Sequence, residues 1–205
     1  MMSSESTESK NQSRKFGPLS RASQFFYTRS NLVTALLATF VFAVYLVLFL
    51  REQGTAFEVA NSSVRSLGTS LGFGQAEILA FLAERNDQMI SAYINFNLVW
   101  DSLFGLIYGV MYVVWVSLLF KPYSQKVGIF NLLPFGQVVF DWLENSALAT
   151  ASTQYLADGT ISSSTALFAS ISSTMKWVFS LLVYGLIVIG IVLRIVGALK
   201  RRSQH

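Results

Sequence analysis

The chain reads as all-α and polytopic: a bundle of four transmembrane helices with a short amphipathic helix in the first extracytoplasmic loop. Three observations lead there. Of 205 residues 53% are hydrophobic and only 13% charged, against about 45–50% and about 25% in soluble domains. Four apolar runs alternate with polar segments, each near the roughly 20 residues needed to cross a hydrocarbon core about 30 Å thick. The basic residues gather in alternate segments, as topology signals do.

Residues 1–30 are serine-rich and polar, carrying Lys10, Arg14, Lys15, Arg21 and Arg29 against Glu5 and Glu8. This composition predicts a disordered tail. The first span, 32–50, exceeds the roughly 7–15 residues of a signal-peptide core, and Glu58 spoils a cut at Ala60, so it is expected to be retained. An outer loop follows over 51–95. Within it the glycine-rich stretch Ser66–Gly74 reads as a turn region. From Gln75 to Met89 the apolar residues Ile78, Leu79, Phe81, Leu82 and Met89 fall at roughly helical spacing, which predicts an amphipathic helix on the bundle mouth or the membrane surface. Asn61-Ser62-Ser63 matches a glycosylation sequon, a motif short enough to arise by chance.

The second span is read at 96–120, the third at 127–148 and the fourth at 173–199, with 201–205 a basic tail. The short link 121–126 makes spans two and three an antiparallel hairpin. Pro134 falls in the first turns of span three, where a missing donor costs least. If the N-terminus is cytoplasmic, that side holds the five tail residues together with Lys121, Lys126, Arg194, Lys200, Arg201 and Arg202, which is most of the 15 basic residues. Both termini are therefore expected in the cytoplasm and 51–95 outside. The expected location is a cell membrane, the inner membrane of a bacterium.

At about 1.5 Å of rise per residue, that orientation brings the intramembrane polar residues to one depth. Asp101 lies one to two turns below the outer surface; Asp141, Glu144 and Asn145 fall in the outer half of span three; Lys176 lies within about a turn of the same surface. Asp141, Glu144 and Asn145 are spaced i, i+3, i+4 and share a helix face. Asn97, Asp101 and Tyr108 form a second polar stripe, beside a Gly105-x-x-x-Gly109 that admits a close helix neighbour. Each ionised group at a span centre costs about 2.5–3.5 kcal/mol on insertion scales, so such residues face inward and find partners. Three acids against one base leave two negative charges to be neutralised by protons, a cation, a cationic ligand or water. Asp101, Tyr108, Asp141, Glu144, Asn145 and Lys176 are thus candidate ligand-binding residues. Interhelical polar pairs also serve as packing contacts worth about 0.6 kcal/mol each, and Lys176 is close enough to the interface to snorkel. The tryptophans Trp100, Trp115, Trp142 and Trp177 suit a membrane interface.

Composition removes several chemistries. There is no cysteine and one histidine, His205, so thiolate nucleophiles, disulfides, histidine-ligated metal centres and Ser-His-Asp hydrolases have no residues to draw on. No metal or cofactor is expected. The net charge of +4 reflects topology rather than nucleic-acid binding.

The stretch Asp101-Ser-Leu-Phe104-Gly-Leu-Ile-Tyr108-Gly, then Asp141-Trp-Leu-Glu144-Asn145, then Lys176-Trp177 resembles an uncharacterised family of small bacterial four-helix integral membrane proteins. Ala76 to Glu84 and Tyr93 resemble its outer-loop helix. Asp-x-x-Glu-Asn is the most distinctive piece, and Gly105 departs from the family's proline after the phenylalanine. The resemblance implies the four-span plan and carries no activity. Three functional classes stay open. One is a binding protein whose acidic outer-leaflet pocket takes a small, lipid-like or cationic ligand, or that assembles with a membrane partner or a second copy. Another is an intramembrane enzyme using paired carboxylates on a lipid, and the third is a proton- or cation-coupled transporter. The mostly apolar lower half of the spans disfavours transport.

Overall fold

The computed structural model describes residues 17–60, 62, 64 and 66–202. Lys10, Arg14, Lys15, Asn61 and Ser63 of the sequon, and His205 lie outside the described residues. Of the described residues 88% are helical and none is in a strand. Among them three stretches are long and apolar enough to cross a membrane: Leu32–Phe57, Asp87–Asp158 and Ser163–Arg201.

The first finding departs from expectation. Residues read as the end of a disordered tail form helix α1 (Pro18–Arg29), opened by a proline in its first turn and burying Ser23 and Tyr27. Proline is favoured there because its missing N–H is unpaired in any case. The Ser23 hydroxyl donates to Asn131 Oδ1 at 2.6 Å, while Asn131 Nδ2 donates to the Ser23 carbonyl at 3.1 Å and to the Ser117 hydroxyl at 2.9 Å. Ser23 falls in the stretch whose composition predicts a disordered tail; its partner lies 108 residues away. Lys121 Nζ donates to the carbonyls of Thr28 (3.2 Å) and Ser30 (3.1 Å), placing a cation on the negative end of α1.

Asn31 and Thr34 then form a reciprocal capping box that starts α2 (Leu32–Val44). The helix widens into a π-helical stretch, Tyr45–Leu50, and ends in α3 (Arg51–Thr55). Its outward face is bare hydrocarbon, with Val33 75%, Phe40 65% and Leu48 63% exposed, a surface that calls for an apolar environment.

The helix expected from 75 to 89 is two helices. α4 (Gln75–Ala83) stops, and Asn86, accepting from the Met89 N–H at 2.9 Å, caps a new helix α5 (Asp87–Asn95). A second π-helical stretch, Phe96–Asp101, joins α5 to α6 (Ser102–Phe120). Ile78, Phe81 and Leu82 of α4 are buried in one cluster with Leu67, Tyr93, Leu148, Ala151, Ala166 and Ala169, so this helix is docked on its neighbours.

The 72-residue stretch from Asp87 doubles back on itself. After a 3-10 turn at Lys121–Tyr123 and the one-turn α7 (Ser124–Val127), Gly128 takes φ +54, and a second 3-10 turn runs to Leu132. The third helix, α8 (Pro134–Asp158), therefore begins seven residues later than the expected Val127. A positive φ breaks the helix, and proline restarts it. α8 continues past Leu148 until Gly159, at φ +67, ends it. The last helix, α9 (Ser163–Arg202), starts ten residues before the expected Ser173. Hydropathy falls along both extensions, but small buried residues, among them Ala147, Ala151, Ala166 and Ala169, let the two helices stay in contact. Arg194 Nε donates to the Leu119 carbonyl at 3.0 Å, and its Nη2 to that of Leu118, closing the C-terminal end of α6 against α9.

Candidate functional site

Close helix approach builds the polar centre. Gly105 and Gly109 of α6 leave room for α8: a Cβ at Gly105 would lie 2.6 Å from Asp141 Oδ2, and one at Gly109 would collide with the Val138 side chain. The Trp142 indole donates to the Ser102 carbonyl at 2.8 Å and pins the same crossing. From α9, Lys176 reaches inward. Its ammonium lies 3.4 Å from Asp141 Oδ1, forms an ion pair with Glu144 Oε2, and donates to the Gly68 carbonyl at 3.1 Å. Glu144 is fully buried, and Asp141 and Lys176 are 4% and 7% exposed. Snorkelling of Lys176 toward headgroups is thereby ruled out. Asn145 is buried beside the Asp101 carboxyl, and Lys176 also acts on Asp101 electrostatically.

A cavity of about 740 Å³ opens beside this cluster. Asn97, Asp101, Tyr108, Gln137, Asp141 and Lys176 give it polar wall, and Phe42, Leu46, Leu50 and Phe104 give it apolar wall. Arg51, Glu58 and Arg85 stand among its other lining residues. Of the six sequence candidates, Asp101, Tyr108, Asp141 and Lys176 line the cavity, whereas Glu144 and Asn145 sit behind it. Several buried polar atoms there have no hydrogen-bond partner: the Tyr108 hydroxyl, Gln137 Oε1, Asp141 Oδ2, Glu144 Oε1 and Asn145 Nδ2. Among the described residues no group of three or more His, Cys, Asp or Glu side chains is arranged to hold a metal ion.

The two π-helical stretches meet at this cavity. The Tyr45 hydroxyl of the first donates to the Trp100 carbonyl of the second at 2.9 Å, and the Ser102 hydroxyl donates to the Asn97 carbonyl at 2.8 Å. Both bonds satisfy carbonyls in a region where the ordinary helical ladder is interrupted. Asn97 and Asp101 belong to the second stretch, so its wide turn sets the direction from which Asp101 enters the cavity. Along the cavity wall the rings of Phe104, Tyr108, Tyr112 and Tyr184 make successive contacts at 5.4, 6.0 and 5.8 Å between centroids.

Sequence reading missed two parts of the site. One is Gln137, a turn before Asp141 on α8. Its i−4 spacing from Asp141 was the available signal. The other is the glycine-rich turn, which folds onto α9: the Gly68 carbonyl accepts from Lys176, and the Ser70 carbonyl accepts from Trp177 Nε1 at 3.1 Å and the Ser173 hydroxyl at 3.2 Å. Backbone carbonyls carry no residue-type signal. Arg85 also gains an assignment. Its guanidinium stacks 3.5 Å from the Phe81 ring centroid, donates from Nε to the Phe57 carbonyl at 2.9 Å and from Nη1 to the Phe81 carbonyl. Burial draws its pKa below the ordinary arginine value, partly offset by Tyr93 and Glu84. Comparison with protein-family models, with curated proteins and with solved structures finds no match.

Proposed function

We propose that this chain is a four-span membrane protein with both termini cytoplasmic, and that it binds a small, lipid-like ligand through the cavity beside Asp101 and Asp141. The observation that carries the reading is a cavity of about 740 Å³, within the range of small-molecule sites, whose wall combines hydrocarbon side chains with the carboxylates of Asp101 and Asp141. Such a wall suits an amphipathic molecule, its chain against Phe42, Leu46 and Leu50 and its polar end at the carboxylates. Crossing twice within the 72-residue stretch follows from its reversal at 121–133. The surplus of Lys and Arg near the termini and in that reversal supports the orientation, and with it an outer-leaflet position for the cavity.

The test is native mass spectrometry of the full chain released from its own membrane. A bound small molecule is expected on the wild-type protein and is expected to be lost from Asp101→Asn, a substitution that lowers the desolvation cost and leaves insertion intact. A wild-type chain free of any retained molecule, or retention unchanged in the variant, overturns the reading.

A further inference from the structure

The cavity's chemistry specifies more than an amphipathic ligand. An ammonium has three N–H donors and no acceptor. Lys176 faces three acceptors, Asp141 Oδ1 at 3.4 Å, Glu144 Oε2 and the Gly68 carbonyl at 3.1 Å, as many as it has donors. Beyond it, two buried acceptors line the cavity without a hydrogen-bond partner. Asp141 Oδ2 and Gln137 Oε1 are unpartnered on residues 4% and 6% exposed, the Tyr108 hydroxyl among them has a single hydrogen to donate, and Asp101 presents a further carboxylate to the same space. A buried acceptor left unpaired costs about 1–3 kcal/mol, more where charge is involved. A ligand atom at this place therefore has to bring hydrogen-bond donors; Arg51, Arg85 and Glu58 also line the cavity, but in the cluster around Lys176 the carboxylates of Asp101, Asp141 and Glu144 outnumber the one ammonium, which calls for positive charge there.

We propose that the cavity binds the protonated amino group of an amphiphile, its three N–H donors engaging Asp101, Asp141 Oδ2 and Gln137 Oε1, and its hydrocarbon chain lying along Phe42, Leu46 and Leu50. This rests on the ligand-binding reading above and names the ligand's class. A quaternary ammonium matches the charge and leaves the acceptors unpaired. A carboxylate or phosphate head meets like charge, and an alcohol brings one donor without charge.

The experiment measures binding of octylamine, octyltrimethylammonium, octanol and octanoate to the full chain in nanodiscs by calorimetry, with empty nanodiscs subtracting bilayer partitioning. Octylamine is expected to bind at least tenfold tighter than each of the other three, and Asp101→Asn and Gln137→Leu each to weaken it at least tenfold and by more than they weaken octanol. Equal or tighter binding of octyltrimethylammonium, octanol or octanoate by the wild-type protein overturns the amine assignment and leaves the pocket standing. Absence of saturable binding for all four overturns both. The wild-type ranking decides the matter by itself should a variant fail to fold.

Discussion

Lys176 is the residue on which the polar centre depends. Removing one partner of a buried ion pair leaves the other charge uncompensated and costs about 3–5 kcal/mol. Lys176→Met, which keeps the apolar stem, is therefore expected to lower the thermal midpoint in detergent by several degrees. Adding Glu144→Gln to that variant is expected to restore part of the loss, a coupling that a double-mutant cycle reads directly. Asp101, Asp141, Glu144 and Lys176 were legible as a group, because a charge inside an apolar run is conspicuous and helix rise converts position into depth. Which partner Lys176 takes was not legible, since one of the three is the Gly68 carbonyl. Gln137 escaped notice for the opposite reason: a neutral amide in an apolar run is cheap enough to need no explanation.

Among the elements, α1 shows how far a local reading can mislead. Its helix owes its place to Asn131, whose two amide hydrogens and carbonyl oxygen all find partners on α1 and α6. Asn131→Ala removes the donor to the buried Ser117 hydroxyl and leaves the Ser23 hydroxyl only its 3.3 Å bond to the Gly128 carbonyl, at about 1–3 kcal/mol. The expected outcome is faster hydrogen exchange of the α1 amides with those of α8 unchanged; equal α1 exchange in the variant and the wild type would mean α1 is held by its apolar contacts alone. The long apolar helices were legible from hydropathy to within about two turns at their apolar ends. The extensions at 149–158 and 163–172 were not, because α8 and α9 run on past Ala147, Ala151, Ala166 and Ala169, where packing of small side chains replaces hydrophobicity as the reason to stay helical. The break between α4 and α5 was marked in the sequence by Asn86, a strong cap whose signal was outweighed by the apolar periodicity around it.

For the whole molecule, the absence of cysteine gives a clean background for mapping topology. Single cysteines at Ala60 and Asp158 are expected to react with a membrane-impermeant maleimide in intact cells, and one at Gln125 only after permeabilisation. Labelling of Gln125→Cys in intact cells would reverse the orientation, and labelling of all three would remove the four-span reading. The general plan of apolar helices and polar turns was visible from composition alone, since the bilayer restricts spanning backbones so severely. The cavity was not, because it arises from how α2, α6, α8 and α9 lean on one another, and no single run of residues encodes an empty space.

The wide turn at Phe96–Asp101 bears on how this chain tolerates changes in length. A π-turn holds more residues than the α-turn it replaces, so loss of one residue between Phe96 and Asp101 can be absorbed by tightening that turn, with α5 and α6 keeping their present faces. The same loss inside α6 has no slack to draw on and rotates everything on one side of it by about 100°, swinging either Asp101 or Tyr108 out of register with α8. The segment that aims Asp101 is thus also the helix's length adjuster, and indels there trade the cavity's shape for the preservation of the bundle around it.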